Sequence, residues 1–203
     1  MRTGIFGGSF NPVHNGHIYL AERMSDIMKL DRLFIIPARV SPFKEDNGGI
    51  SDSDRLNMCR IAFEKYDKYF VSDIELKREG KSYSVDTVRE LKKIYPDDEL
   101  FLFTGSDMLL SFDKWKDYNI ILDNVTLCAM SRENDVCSDE LTEYARLVIK
   151  RPEKIMICPV LPLEISSTQV RQYVKNGCDI SNLVPEGVKK YIERRGLYRE
   201  KQV

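Results

Sequence analysis

A chain of 203 residues with 31 Lys+Arg against 32 Asp+Glu, a formal net charge of −1 and 42% hydrophobic residues has the size and balance of one globular domain with an ordinary buried core. A chain of this length buries roughly 70% of its unfolded surface, so it needs neither disulfides nor a structural metal. Near-neutral charge argues against a dedicated nucleic-acid or membrane-surface binder, since either usually carries a basic excess or stripe, but small acidic ligands need only local positive charge.

Cys59, Cys128, Cys137, Cys158 and Cys178 are odd in number and contain no C-x-x-C pair, as expected of reduced thiols in a cytosol. No apolar run approaches the roughly 18 residues of a membrane span, and Met1-Arg2 leads into a strand-like segment without a signal-peptide pattern. The expected setting is cytoplasmic.

In chain order, a strand at residues 3–6 is followed by a glycine-bearing loop and a helical pattern through Leu20, Met24, Ile27 and Met28. A second strand at 33–36 leads into an irregular stretch, 38–51, long enough to read as a functional loop. Leu56, Cys59, Ile61 and Phe63 mark a helix, 69–74 a strand, and Val85, Val88, Leu91 and Ile94 another helix. Strands follow at 100–103 and 125–130, then a polar stretch at 131–138, a helical pattern through Leu141, Tyr144 and Val148, and a strand at 155–160. Helices at 167–176 and 185–195 close the chain, with Pro185 placed for a first turn and Gly177 and Gly196 placed as C-caps. Strand alternating with helix predicts an α/β fold: a Rossmann-like, doubly wound parallel sheet with right-handed crossovers and a C-terminal helical tail from about 166 to 203, in a single domain spanning 1–203. The near-continuous apolar strands imply a sheet buried on both faces.

Ligands of such sheets bind beyond the carboxyl ends of the strands. The loop after the first strand, Gly7-Gly8-Ser9-Phe10-Asn11-Pro12-Val13-His14-Asn15-Gly16-His17, holds both histidines of the protein. Its glycines let backbone N–H groups approach an anion, and the following helix start adds its positive dipole end. It is not a Rossmann G-x-G-x-x-G, because Phe6 and Ser9 stand at the third and sixth positions counted from Gly4. Gly80-Lys81-Ser82 is no Walker loop either, since Glu75 stands where the first glycine belongs. His14 and His17 could share a metal, but no cysteine or third histidine accompanies them, so no protein metal site is expected. Capping or core-satisfied histidines remain the bland alternative.

Residues 8–17 resemble the H-x-G-H signature of the nucleotidyltransferases related to class I aminoacyl-tRNA synthetases, and Ile165-Ser166-Ser167-Thr168-Gln169-Val170-Arg171 resembles the second signature of that superfamily. With both motifs in order, the whole chain resembles the bacterial nicotinate-nucleotide adenylyltransferases, many of which carry Asp where this chain has Asn11. The resemblance implies a catalytic set of His14, His17, Lys44 and Arg171. ATP would be bound by Gly7, Gly8, Ser9, Phe10, Gly16, Gly105, Asp107, Arg132, Ile165, Ser166, Ser167 and Thr168. Read without the resemblance, Ser166 to Thr168 are a plain N-cap, Asp107 another cap, and Lys44 a solvated lysine.

The second substrate would be recognised by Ser82, Tyr83, Ser84, Trp115 and Lys116. N–H groups at the start of the helix after Ser84 suit a carboxylate, and an indole face stacks on a pyridinium ring. Many relatives have an aromatic residue in place of Lys116, and a sole tryptophan is otherwise a core residue.

The implied reaction joins nicotinate mononucleotide to ATP, giving deamido-NAD and pyrophosphate, with Mg²⁺ held mainly by ATP phosphates. The partners are then ATP and nicotinate mononucleotide, without nucleic acid or membrane, and compatible with a homo-oligomer. Two alternatives stand beside this reading. One is a sibling adenylyl- or cytidylyltransferase acting on nicotinamide mononucleotide or phosphopantetheine; the other is a noncatalytic nucleotide sensor.

Overall fold

A computed structural model describes residues 1–40, 50–131, 135–161 and 163–199. Six strands form one sheet: β1 (Arg2–Gly8), β2 (Arg32–Pro37), β3 (Tyr69–Val71), β4 (Glu99–Gly105), β5 (Val125–Ser131) and β6 (Ile155–Pro159), in the order β3-β2-β1-β4-β5-β6. Every pairing is parallel. The doubly wound sheet expected from the alternation of elements is therefore present, and its order reverses between β1 and β4. That reversal opens a crevice beyond the carboxyl ends of these two strands.

The period-2 geometry of a strand divides the core between the two faces. Leu33 and Ile35 of β2 pack with Phe6, Phe101, Phe103 and Cys128 against α1 (Asn15–Met28) and α2 (Asp52–Phe63). Phe34 and Ile36 face the other way, with Ile5, Leu100, Leu102 and Leu127, against α3 (Ser84–Ile94). Completely burying one such side chain contributes about 1.5–3 kcal/mol, so both layers are strongly held to the sheet.

Burial on both faces holds for the central strands but not at the edges, where Phe70 of β3 is 48% exposed and Met156 of β6 is 40% exposed. Among the described residues, no further strand extends the sheet past β3 or β6. β3 also stops at Val71 rather than residue 74. The Ser72 N–H makes the last bond to the Ile35 carbonyl, 2.9 Å, and the chain then turns, with Lys77 N–H donating to Asp73.

Three short elements carried no periodic signal: α4 (Ser106–Leu109), a 3-10 turn (Phe112–Lys114) and α5 (Tyr118–Asn124). The helix expected through Val148 is α6 (Asp135–Tyr144), which widens into a π-helical turn at Ala145–Ile149. The tail comprises α7 (Ser167–Lys175) and α8 (Glu186–Arg195). Pro185 is the N-cap of α8 rather than a first-turn residue, Asn176 is the C-cap of α7 with Gly177 just after it, and Gly196 caps α8 at φ 60°. Val188, Tyr191 and Ile192 of α8 join the core that holds α1 and α2. At the amino end of the sheet, Asp98 accepts from Thr3, Arg32 and the terminal amino group. Among the described residues, no helix is long and apolar enough to cross a membrane.

Candidate active site

The first loop is built outward from β1. Phe10 has a left-handed backbone, φ 43°, and a side chain 1% exposed. That conformation is unfavourable for an aromatic residue, so its surroundings must hold it. Phe6 and His17 meet its ring edge-on at 5.5 and 5.0 Å. A Cβ at Gly8 would lie 3.0 Å from the same ring, so any larger residue there would have to push the Phe10 ring aside.

The carbonyl groups of the loop are held by donors from distant segments. Arg55 Nη1 donates to the Ser9 carbonyl at 2.7 Å, Arg171 Nη1 to the Asn11 carbonyl at 2.7 Å, and Ser167 Oγ to the Pro12 carbonyl at 2.9 Å. Tyr198 Oη donates to Asn11 Oδ1 at 2.7 Å, and Asn15 N–H donates to the Leu183 carbonyl at 2.8 Å. Burial pushes the Tyr198 hydroxyl upward despite the nearby Arg171 and Arg55. The two signature motifs are thus physically joined, with the second acting as a brace for the first. Arg171 also donates to Thr168 Oγ1 at 3.0 Å. Ser166 caps α7 by accepting from Gln169 N–H at 3.1 Å, a cap contributing about 1 kcal/mol.

His14 is the N-cap of α1, and His17 stands one turn in. Their rings lie 3.7 Å apart between centroids, tilted by 32°. His14 N–H donates to His17 Nδ1 at 3.2 Å, so a neutral His17 carries its proton on Nε2. His14 is 6% exposed, and burial lowers its pKa to about 4. Its Nδ1 has no hydrogen-bond partner among the described residues. Gly16 lies beneath this ring; a Cβ there would come within 3.0 Å of His14 Nδ1 and 3.7 Å of the Ile165 carbonyl.

A cleft of about 560 Å³ occupies the crevice, within the range usual for small-molecule sites. Of the residues expected to bind nucleotide, Gly7, Gly8, Ser9, Gly105 and Asp107 line it; of those expected at the second substrate, Ser82, Tyr83, Ser84, Trp115 and Lys116 do so. Asp107 leans back over Gly105, where a Cβ would meet its Oδ1 at 2.6 Å. Phe10, His14, Gly16, His17, Ile165, Ser166, Ser167, Thr168 and Arg171 belong to the braced loop and its support rather than to the cleft wall. Lys44 and Arg132 lie outside the described residues.

The end of the cleft lined by Ser82, Tyr83 and Ser84 is held by a buried polar network. Ser82 N–H donates to the Val40 carbonyl at 2.9 Å, and Arg39 N–H donates to Ser82 Oγ at 3.0 Å. Thr87 Oγ1 donates to Glu75 at 2.6 Å, and Arg78 bonds the same threonine. Burial raises the Glu75 pKa against the opposing pull of Thr87, Arg78 and Ser82. Tyr83 is the N-cap of α3, and Lys116 Nζ sits 4.6 Å from its ring centroid. Trp115 is partly exposed to the cleft, with its ring 5.0 Å from Phe112.

Sequence reading missed Glu75, Thr104 and Ala38 in the cleft wall, and Arg55 and Tyr198 behind the loop. Ala38 and Thr104 could have been found from the strand-end rule alone. Nothing local marks Arg55, whose role exists only once α2 packs under the loop.

A family model described as cytidylyltransferase-like matches residues 5–173. The chain is 33% identical over 98% of its length to 99% of a Clostridium tetani protein named "Probable nicotinate-nucleotide adenylyltransferase". It is 38% identical over 98% of its length to 98% of a Carboxydothermus hydrogenoformans protein of the same name. Its fold matches Plasmodium falciparum nicotinic acid mononucleotide adenylyltransferase complexed with NaAD, with a TM-score of 0.77, 19% identity and 97% of each chain covered. With its first motif at the switch point and its second motif braced against it, the chain belongs to the cytidylyltransferase-like nucleotidyltransferases and, among them, to the nicotinate-nucleotide adenylyltransferase family.

Proposed function

We infer that the chain, acting as one domain over 1–203, transfers the adenylyl group of ATP to nicotinate mononucleotide, giving deamido-NAD and pyrophosphate. The observation that carries this reading is a single cleft running from the glycine-bearing end of β1 to the Ser82–Ser84 turn and Trp115. It joins a phosphate-binding end to an end suited to an aromatic carboxylate. A phosphopantetheine-type substrate offers neither a ring for the indole nor a carboxylate for the start of α3.

The attacking group is the phosphate of the mononucleotide, whose second pKa of about 6 leaves it largely dianionic at neutral pH. No strong general base is needed. One of its oxygens forms a bond to the α-phosphorus of ATP while the bond from that phosphorus to the bridging oxygen breaks, and the electron pair leaves with pyrophosphate. The protein's work is alignment and charge stabilisation. Gly7, Gly8, Ser9 and Phe10 offer backbone N–H groups, His14 and His17 offer ring N–H donors, and Lys44 and Arg171 supply positive charge. Asp107, Arg132 and the α7 start complete the nucleotide side; Ser82, Tyr83, Ser84, Trp115 and Lys116 form the other.

Among the described residues, no group of three or more His, Cys, Asp or Glu is arranged to hold a metal ion, and Asp107 is the exposed carboxylate at the β4 end of the cleft. That donor set fits Mg²⁺ arriving with its phosphates and retaining water. When bound, the ion neutralises phosphate charge. A cytoplasmic setting is part of the reading, supported by the unpaired thiols Cys59, Cys128, Cys158 and Cys178.

The test is product analysis after mixing the protein with ATP, Mg²⁺ and nicotinate mononucleotide, phosphopantetheine or no second substrate. Pyrophosphate and deamido-NAD formed in equal amounts are expected with the nicotinate substrate alone. ATP binding without turnover would favour the noncatalytic sensor.

A further inference from the structure

Arg55 of α2 is completely buried and is the largest fully buried side chain among the described residues. Burying a guanidinium is expensive unless it is paired and hydrogen-bonded, and a hydrophobe of similar size often serves stability as well. Here the charge is balanced by Asp52, which is 37% exposed. Its donors do not serve the surrounding core. Nη1 donates to the Ser9 carbonyl at 2.7 Å, and Nη2 reaches the Arg39 carbonyl at 3.4 Å. Arg39 in turn holds Ser82 Oγ and the Arg78 carbonyl. One buried cation therefore ties the loop after β1 to the segment leaving β2.

A trans peptide points its carbonyl and the following N–H in opposite directions. With the Ser9 carbonyl drawn inward onto Arg55, the Phe10 N–H faces away from it. Ser9 lines the cleft and Arg55 does not. Among the described residues, the Phe10 N–H has no protein acceptor.

We propose that Arg55 is a positioning residue for adenylyl transfer: by holding the Ser9 carbonyl, it fixes the Phe10 N–H facing away from the buried guanidinium, as a donor to a phosphate oxygen of ATP bound beside Ser9. The proposal depends on the reading of this loop as the phosphate-binding loop. Arg55→Met keeps most of the side chain's bulk and removes the donors. Its folded protein should show an ATP KM raised about tenfold or more, with the KM for nicotinate mononucleotide within about twofold of wild type. Arg55→Lys, which keeps a charged donor, should recover part of the ATP KM. A purely structural role would lower the melting temperature and leave both KM values unchanged in the folded fraction.

His17→Ala, measured in parallel, separates the two readings. If His17→Ala loses turnover while Arg55→Met keeps a wild-type ATP KM, the role of Arg55 is overturned and the loop reading stands; a fully active His17→Ala overturns both. Should Arg55→Met fail to fold, 15N NMR of the wild-type protein carries the test. The Phe10 amide should shift on titration with ATP, and an unmoved Phe10 amide at saturation would overturn the proposal.

Discussion

Arg171 Nη1 lies 2.7 Å from the carbonyl oxygen of Asn11, joining two residues 160 positions apart in sequence. The guanidinium reaches back from the first turns of α7 to the loop after β1 and bonds Thr168 on the way. Its planar fork is suited to serving both acceptors at once, which one ammonium group does less well.

Replacing Arg171 should therefore damage loop geometry and phosphate affinity together. Arg171→Ala is expected to lower kcat/KM for ATP by about 10²–10³, and the orphaned carbonyl should cost on the order of 1–3 kcal/mol of stability. Arg171→Lys should fall between it and wild type. Steady-state kinetics with a denaturation curve checks both parts; an unchanged kcat/KM for ATP in either variant would remove Arg171 from the site.

His14 should be uncharged at neutral pH in the free protein, because burial lowers its pKa to about 4. The unfolded-state value is about 6.5, so the folded state resists protonation. The resulting stability is complete above about pH 6.5 and is lost as pH falls toward 4, with a total on the order of 3 kcal/mol. His14→Gln should flatten this part of the stability curve. Bound triphosphate should raise the His14 pKa, because negative charge favours the imidazolium. NMR titration of the ring protons with and without ATP measures this, and a free-protein pKa near 6.5 would contradict it.

Gly16→Ala sets two effects against each other. Alanine gains up to about 1 kcal/mol of helix propensity over glycine, while its Cβ would stand 3.0 Å from His14 Nδ1. The ring can give way by a few tenths of an ångström, so stability should change by less than about 1 kcal/mol. Catalysis should not be spared, and kcat is expected to fall at least about tenfold as His14 leaves its place over His17. Wild-type turnover in the folded variant would show that the position of the His14 ring does not matter.

Asp98 offers the contrasting case of a charged cluster remote from the cleft. Burial alone would raise its pKa, but Thr3, Arg32 and the terminal amino group outweigh that and draw it down to about 2. A carboxylate depressed in the folded state stabilises the fold above its unfolded pKa, near 4, and that contribution disappears as pH falls toward 2. Asp98→Asn should lose about 1–2 kcal/mol at pH 7 and be nearly neutral at pH 2, with kcat and both KM values unchanged. Altered kinetics would mean that the amino end of the sheet reaches the site.

The sheet was readable from sequence because its central strands are apolar runs separated by periodic helices; Leu33 to Ile36 leave little other choice. Ser106 to Asn124 escaped because helices of one or two turns make too few contacts to impose a period. The glycine loop and the I-S-S-T start announced themselves as motifs. Their mutual contact did not, since the bond from Arg171 to Asn11 depends on α7 docking against the loop after β1. Arg55 illustrates the same limit: an arginine within an amphipathic pattern reads as a solvated face until the fold buries it. Gly8 and Gly16 were legible as glycines near an anion, whereas the structure gives them a second reason in the Phe10 and His14 rings lying against them.

The proposed recognition of the carboxylate at the start of α3, with Trp115 stacking on the ring, makes the central claim measurable as a ratio. The amide of nicotinamide mononucleotide would turn an NH₂ group toward N–H donors and leave them unpaired, costing about 1–3 kcal/mol beyond the lost charge-assisted bond. In the proposed arrangement backbone groups do this reading, so Ser84→Ala should keep the preference, while Trp115→Ala should raise KM for both mononucleotides. The decisive measurement is kcat/KM for nicotinate and nicotinamide mononucleotide at saturating ATP and Mg²⁺. A preference for the acid of at least about 10²-fold is expected, and equal values for the two substrates would contradict the assignment.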